Sequence, residues 1–341
     1  MKLYLKNLLL VILVAFLANS CNYYKNIYGK NVKETTIIKI AENANFEEVI
    51  FTLTPYLENV ESFKWLANLK KYPSLIKPGI YSLNKGENNN TVVNRLRAGE
   101  QTPIDVKIGY EIKTLDQLAT AVSKNLNISK TDFLTTLQKQ DFVLESGLKG
   151  NQLLVFFLPN TYEFYWNISS QKFIDKMKNV YNDFWTDENK EKLKKLNLSI
   201  LQINTLASIV QEESEIKTEQ PKIAGLYLNR LKNNIKLQAD PTVKYALKLN
   251  SNFNYPIKRI FYKDLFVDSP FNTYKNMGLP PAPIGLANSN ALLATLNASS
   301  HNYIYMCADP DRPGYHLFEK NYEKHLLNAK KYSNWANSKN L

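Results

Sequence analysis

"LASIVQEESE", residues 206–215, reads as a buried helix that runs into three glutamates. Ser199 followed by Gln202 forms a capping-box pattern, so the helix is expected to begin near Ile200. Its apolar positions then recur as Leu206, Ile209, Val210, Glu213 and Ile216, at spacings of three and four that share one face. Glu213 thus falls on the buried stripe, whereas Glu212 is turned about 100° away and Glu215 lies toward the polar face. A carboxyl group partly withdrawn from water is harder to ionise, which is what a general acid near neutral pH requires. The bland counterpart is a structural carboxylate paired with a cation such as Arg230 on the following helix.

That following helix is expected over residues 219–232, with Ile223, Tyr227 and Leu231 in step. After a short Lys-Asn-Asn turn comes "LQADPTVKYAL", residues 237–247, in which Gln238, Asp240 and Thr242 place short hydrogen-bonding groups around a proline-fixed backbone. Such a loop suits the wall of a polar cleft. Asp-Pro-Thr is equally a helix start, with Asp240 as the cap and Pro241 in the first turn.

Working outward, 341 residues with 44% hydrophobic and 12% aromatic content suffice for two domains with cores. The chain alternates helix-like and strand-like pieces, so the expected class is α+β. Residues 34–108 read as a small module: "TTIIKI", "FEEVIFTLTPYL", "ESFKWLANLKKY", "GIYSL", "TVVNRLRAG" and "PIDVKI" in turn. Two short helices follow within a connecting subdomain, 109–150. One opens on a Thr114/Gln117 capping box and is lined by Leu115, Leu118, Ala119 and Val122; the other starts near Lys130 and presents Phe133, Leu134 and Leu137. From 151 to 341 the texture turns to aromatic and proline-marked loops around helices, expected to be the working domain. There is no internal repeat and no long linker.

The N-terminus "MKLYLKNLLLVILVAFLANSC" has Lys2 and Lys6 ahead of an unbroken apolar run from Leu8 to Ala18, the layout of an export signal within residues 1–25. The run is short against the roughly 20 residues of a spanning helix. Either a single-pass anchor in the bacterial plasma membrane or a lipid on Cys21 would hold the rest outside the cytoplasm. The second cysteine, Cys307 in "YIYMCA", reads as a small buried hydrophobe. Three histidines with no HExxH or CxxC imply no metal, and no cofactor is expected. The formal charge of +12 favours an anionic surface or polymer, and the absence of a tight basic patch with interleaved aromatics argues against nucleic acid.

Five motifs occur in one order: "LPNTYEF" at 158–164, "ASIVQEES" at 207–214, "LNRL" with "LQADPTVKYAL" within 228–247, "FNTYKNMGLPPAPI" at 271–284 and "GYHLF" at 314–318. Together with "KPGIYSL" at 77–83, they resemble the YceG-like endolytic murein transglycosylases across nearly the whole chain. The resemblance implies a LysM-like module at 34–108, a catalytic acid at Glu213, and Gln238, Asp240, Thr242, Asn272, Tyr274 and His316 in or beside the cleft. Tyr162 and Asn229 join them as candidate sugar-binding or hydrogen-bonding groups. Gln211 and Ala239 stand where the family carries a glutamate and a threonine, and "IGLANS" at 284–289 lacks the family's Asn-Pro-Gly. By resemblance the substrate is the glycan strand of peptidoglycan, cut between N-acetylmuramic acid and N-acetylglucosamine, and the partners are peptidoglycan synthases. Two other readings stay open: a lysozyme-type hydrolase using Glu213 and Asp240, and a non-enzymatic wall-binding protein.

Overall fold

In the computed structural model, residues 6, 7, 10, 20–253, 255–257 and 259–339 are described. The chain is a mixed α+β protein whose strands form three two-stranded sheets among the described residues. It divides into two compact units. The apolar run expected to anchor the chain lies, apart from Leu10, outside the described residues. No described helix is long and apolar enough to cross a membrane, and Cys21 is exposed in a helical stretch over residues 20–28.

The first unit comprises the described residues up to Asp105, with 125–127 and 163–168. It contains β1 (Thr36–Ile40), α1 (Phe46–Leu53), α2 (Val60–Leu69), β2 (Gly79–Leu83) and α3 (Asn89–Ala98). The two strands pair antiparallel, from Thr36 opposite Leu83 to Ile40 opposite Gly79. Their inward residues Ile38, Ile40, Tyr81 and Leu83 meet Leu53, Phe63, Leu66 and Leu96 from the helices. Each helix starts on an asparagine cap: Asn45, Asn59 and Asn88 accept from Glu48, Ser62 and Thr91 backbone N–H groups. A buried polar chain sits in the same unit, where Asn31 donates to Asn89 at 2.6 Å and Asn89 donates to Ser62 at 3.0 Å. Being fully partnered, it avoids the penalty of buried polar groups.

The strands β3 (Ile104–Ile108) and β4 (Asn160–Phe164) pair with each other. The second unit continues with α4 (Leu115–Asn125), α5 (Lys130–Gln138), α6 (Asp141–Ser146), α7 (Ser170–Phe184) and α8 (Asp187–Lys195). Then come α9 (Ile200–Glu213), α10 (Gln220–Lys232), α11 (Asp240–Asn250), α12 (Ser289–Leu296), β5 (Tyr305–Ala308), β6 (His316–Glu319) and α13 (Tyr322–Ser338). The stretch expected as a connecting subdomain falls almost wholly in this unit, which holds 106–124 and 128–162 together with residues from 169 onward. Thr114 caps α4 through the Gln117 N–H, but the Gln117 side chain reaches back to the N–H of Lys113 and not to that of Thr114, so the box is off by one residue.

Helix α9 is the axle of the second unit. Ser199 and Gln202 close the expected box, at 3.2 and 2.8 Å. The expected single stripe is too modest: every residue from Ile203 to Val210 is buried, polar Asn204, Thr205 and Ser208 included. A helix covered on all sides belongs to the interior of a large unit. The polar three are satisfied locally, Asn204 donating to Ile200 O, Thr205 to Leu201 O and Ser208 to Thr205 O. α10, α11 and α12 pack around α9. Its Leu206, Ile209 and Val210 join Ile223, Ala224, Tyr227, Tyr245 and Ile284 in one core. Gly225 lets α10 press against the chain after α12, because a Cβ there would stand 2.3 Å from the Ser299 carbonyl oxygen. Glu213 is the last residue of α9; Ser214 is extended, so Ile216 lies beyond the helix and does not continue its stripe.

Candidate active site

The end of α9 opens into a cleft. Glu213 borders two adjoining hollows, of about 700 and about 440 Å³, and Asp240 and Tyr332 border both as well. Glu213 is partly exposed at this mouth while protein atoms surround the rest of its side chain. Its Oε1 accepts a hydrogen bond from the Tyr227 hydroxyl at 2.5 Å. Tyr227 stands about two turns into α10 and is 1% exposed, so this donor is fixed by the core. The neighbouring Glu212 turns away and pairs with Lys113. Thus the helix end parts two adjacent carboxylates, one held by a neutral hydroxyl and one neutralised by a cation.

Arg230 does not pair with Glu213 directly. Its guanidinium donates to the carbonyl oxygens of Ile304, Lys236 and Leu237 at 2.6, 3.0 and 2.8 Å and to Gln238 Oε1 at 3.1 Å. A planar fork of donors suits such a spread of acceptors. It clamps the 236–238 loop to α10 and to the chain entering β5. Gln238 itself adopts a left-handed conformation, φ 51°, and its backbone N–H donates to Thr273 O. Asp240 is not the cap of α11: Ala239 occupies that position, and the Asp240 carboxylate instead accepts from the Tyr274 hydroxyl at 2.6 Å.

Of the residues singled out in the sequence, Glu213, Gln238, Asp240, Tyr274 and His316 come together around the 440 Å³ hollow. The others hold the walls. Thr242 is wholly buried and exchanges a hydroxyl contact of 2.8 Å with Thr273. Asn272, also wholly buried, donates to Leu265 and Val267 carbonyls and accepts from the Tyr274 N–H, which fixes the loop presenting Tyr274. Asn229 ties α10 to the His301 and Tyr303 carbonyls, and the Tyr162 hydroxyl donates to Leu158 O at 2.6 Å; neither borders the two hollows. Cys307 is half-buried on β5 and lines the cleft, so it is not the buried core residue expected. Tyr227, Glu219 and the C-terminal pair His325 and Tyr332 were not legible as site residues. In the sequence Tyr227 reads only as an apolar position on its helix, and its hydroxyl is the signal that it carries more.

A model of the YceG-like family matches residues 38–331. The chain belongs to that family. This YceG-like chain is 28% identical over 338 residues to a Bacillus subtilis (strain 168) protein named endolytic murein transglycosylase, covering 92% of this chain and 91% of that one. A Streptococcus pneumoniae serotype 2 (strain D39) protein of the same name is 26% identical over 340 residues, covering 89% of this chain and 59% of the other. The crystal structure of a yceG-like protein from Listeria monocytogenes aligns with a TM-score of 0.55 at 27% identity, over 86% of this chain and 98% of that chain.

Electrostatics in the YceG-like cleft separate the carboxylates by task. Burial pushes the Glu213 carboxyl up to about 7; the Tyr227 hydrogen bond and His316 oppose this, while Asp240 and Glu212 add to it. Burial also acts on Glu219, but the His316 hydrogen bonds outweigh it and hold that carboxyl below its ordinary range. Glu219 being an ionised acceptor, the His316 ring N–H at Nδ1 and its backbone N–H both donate to it, at 2.9 and 2.8 Å, which fixes the ring. Burial, with the Asp240 hydrogen bond and charge, drives the Tyr274 hydroxyl far above its usual value, and Tyr227 likewise rises through burial and the proximity of Glu213. Both phenols are neutral donors at physiological pH. Because the Tyr227 bond favours the charged form of Glu213, Tyr227→Phe is expected to raise the carboxyl further. If Glu213 works as an acid, the alkaline fall of activity, set near pH 7 in the wild type, moves upward by about one to two pH units, the worth of one hydrogen bond to a charged group. A pH–rate profile of the two proteins checks it; coincident profiles would show that the bond does not tune the acid.

Proposed function

We propose that the protein is a lytic transglycosylase of peptidoglycan, cutting the bond between N-acetylmuramic acid and N-acetylglucosamine within the strand. The observation that carries this reading is Glu213, a carboxyl raised to about 7 at the meeting of two hollows. Membership of the YceG-like family and the names of the Bacillus and Streptococcus relatives supply the substrate class.

One acid/base is enough for the reaction. Protonated Glu213 gives its proton to the glycosidic oxygen as the bond to the muramyl anomeric carbon breaks, releasing the N-acetylglucosamine side as an alcohol. The resulting carboxylate takes the proton of the muramyl 6-hydroxyl as that oxygen bonds to the anomeric carbon, closing a 1,6-anhydro ring. Glu213 ends protonated again and no water is consumed. The nucleophile belongs to the same sugar, so its effective concentration is high without a second carboxylate to activate water. Space on both sides of Glu213 suits a sugar chain that continues in both directions, as internal cleavage requires. In this reading Tyr274 and Gln238, which line the smaller hollow, hydrogen-bond the sugars.

Asp240 borders both hollows with Glu213, which favours one rival, a hydrolase with Asp240 as its second carboxylate. Mass spectrometry of peptidoglycan fragments separates the two: transglycosylation leaves anhydromuramyl ends, hydrolysis leaves reducing ends 18 mass units heavier, roughly one water. Predominantly reducing ends would sink the proposal. We place the enzyme outside the cytoplasm, held by the N-terminal apolar run or by a lipid on Cys21 and working beside peptidoglycan synthases. The β-α-α-β order of the first unit supports its reading as a LysM-like glycan-binding module.

A further inference from the structure

A third hollow, of about 350 Å³, shares Glu212 with the larger of the two hollows that Glu213 borders. Its lining includes Tyr110, Glu212, Glu215, Lys217, Gln220 and Asn290. Gln220 is the decisive member. Its side chain is almost wholly enclosed, at 3% exposure, and its amide N–H donates to Ser214 O at 2.9 Å, which fixes the amide orientation. Its Oε1 has no hydrogen-bond partner among the described residues. A buried amide oxygen without a donor is an exception in folded proteins and leaves an acceptor open to a donor from outside the chain. The rim carries a matching pair of charges. Exposed Glu215 and Lys217 form no ion pair among the described residues, although they are two positions apart. Glu212, in contrast, is already neutralised by Lys113. The hollow therefore offers one free carboxylate and one free ammonium, with the unspent amide oxygen of Gln220 enclosed behind its lining.

A neutral sugar chain could hydrogen-bond to that set through its hydroxyls but would leave both charges without an opposite charge. A short peptide bearing both an amino group and a carboxylate supplies both: the ammonium meets Glu215, the carboxylate meets Lys217 and a peptide N–H reaches Gln220 Oε1. We propose that this hollow is a subsite for the peptide substituent of the glycan strand, admitted beside Glu213 while the sugars occupy the main cleft. The proposal rests on the peptidoglycan reading above. Gln220 Oε1 is enclosed, so reaching it needs lining side chains to move aside, and exposed side chains such as Glu215 and Lys217 change rotamer readily.

Binding of a soluble muramyl tripeptide ending in lysine, and of the same peptide with its ε-amine acetylated, tests this on the full chain by titration calorimetry. The free amine should bind at least about tenfold more tightly than the acetylated form, the worth of one charge-assisted contact. Glu215→Gln, a surface change that leaves folding intact, should erase the difference. No binding, equal affinity for the two peptides, or an unaltered preference in Glu215→Gln overturns the subsite. Because binding needs no turnover, the two readings fail separately. Amine-dependent binding without anhydromuramyl products removes the transglycosylase and keeps the subsite, whereas anhydromuramyl products without amine dependence do the reverse.

Discussion

On the proposed mechanism, Glu213→Gln is expected to cut the release of anhydromuramyl ends by about 10³-fold, the usual worth of a positioned acid/base, and to make the variant protein more stable at neutral pH. The two effects have one origin. In the folded wild type the carboxyl titrates near 7, above its unfolded value, so the folded state binds the extra proton. Stability attributable to this group is complete below the unfolded value, near 4.5, and declines as pH rises toward 7, after which the loss is constant. By then it amounts to about 3 kcal/mol. Gln keeps the shape and the acceptor for the Tyr227 hydroxyl but cannot ionise. The stability gap between variant and wild type should therefore be near zero at about pH 4, grow through about pH 5 to 7 and then level. Denaturant titrations at several pH values measure it, and a pH-independent gap, or substantial turnover by the variant, would refute the assignment of Glu213.

Arg230→Ala is expected to lower unfolding stability by about 3 kcal/mol or more and to take activity with it. Three backbone carbonyls and the Gln238 amide lose their donor at once, and the substitution leaves the carbonyls enclosed without replacement. Arg230→Lys should restore only part of the loss, because a single ammonium cannot span acceptors from Lys236 to Ile304. Equilibrium unfolding of the three proteins is the measurement. Full recovery by lysine would mean that charge alone, not the fork, holds the loop.

Several parts of this molecule were open to sequence reading because they depend on neighbours along the chain. The Ser199 box sets the start of α9, and spacings of three and four single out Glu213 from its neighbours. Short alternating runs mark β1 and β2 within the same logic. What escaped depends on distant partners. Nothing near Tyr227 announces that its hydroxyl meets a carboxylate fourteen residues earlier. The polar residues Asn204, Thr205 and Ser208 hid the full burial of α9, because their hydrogen bonds to the preceding turn make them acceptable inside. Asp240 looked like a cap by its place before Pro241, and only the arrival of Tyr274 from another loop shows otherwise. Asn229, Asn272, Thr242 and Tyr162 are expected near the sugar by motif, yet each has hydrogen bonds to backbone, and Thr242 also to Thr273 and Asn229 to His301, serving the loops that carry the site.

The unbroken burial of α9 from Ile203 to Val210 bears on how this enzyme would fail when heated. Amides in the middle of such a helix exchange with deuterium only when the surrounding unit opens, since no side of the helix can loosen alone. Glu213 lies just beyond that buried run but is tied to the core through the Tyr227 hydroxyl, so misplacing the acid while the unit stays folded requires that bond to break. Residual activity during thermal denaturation would then track the protected fraction of these amides, making catalysis itself a reporter of global folding.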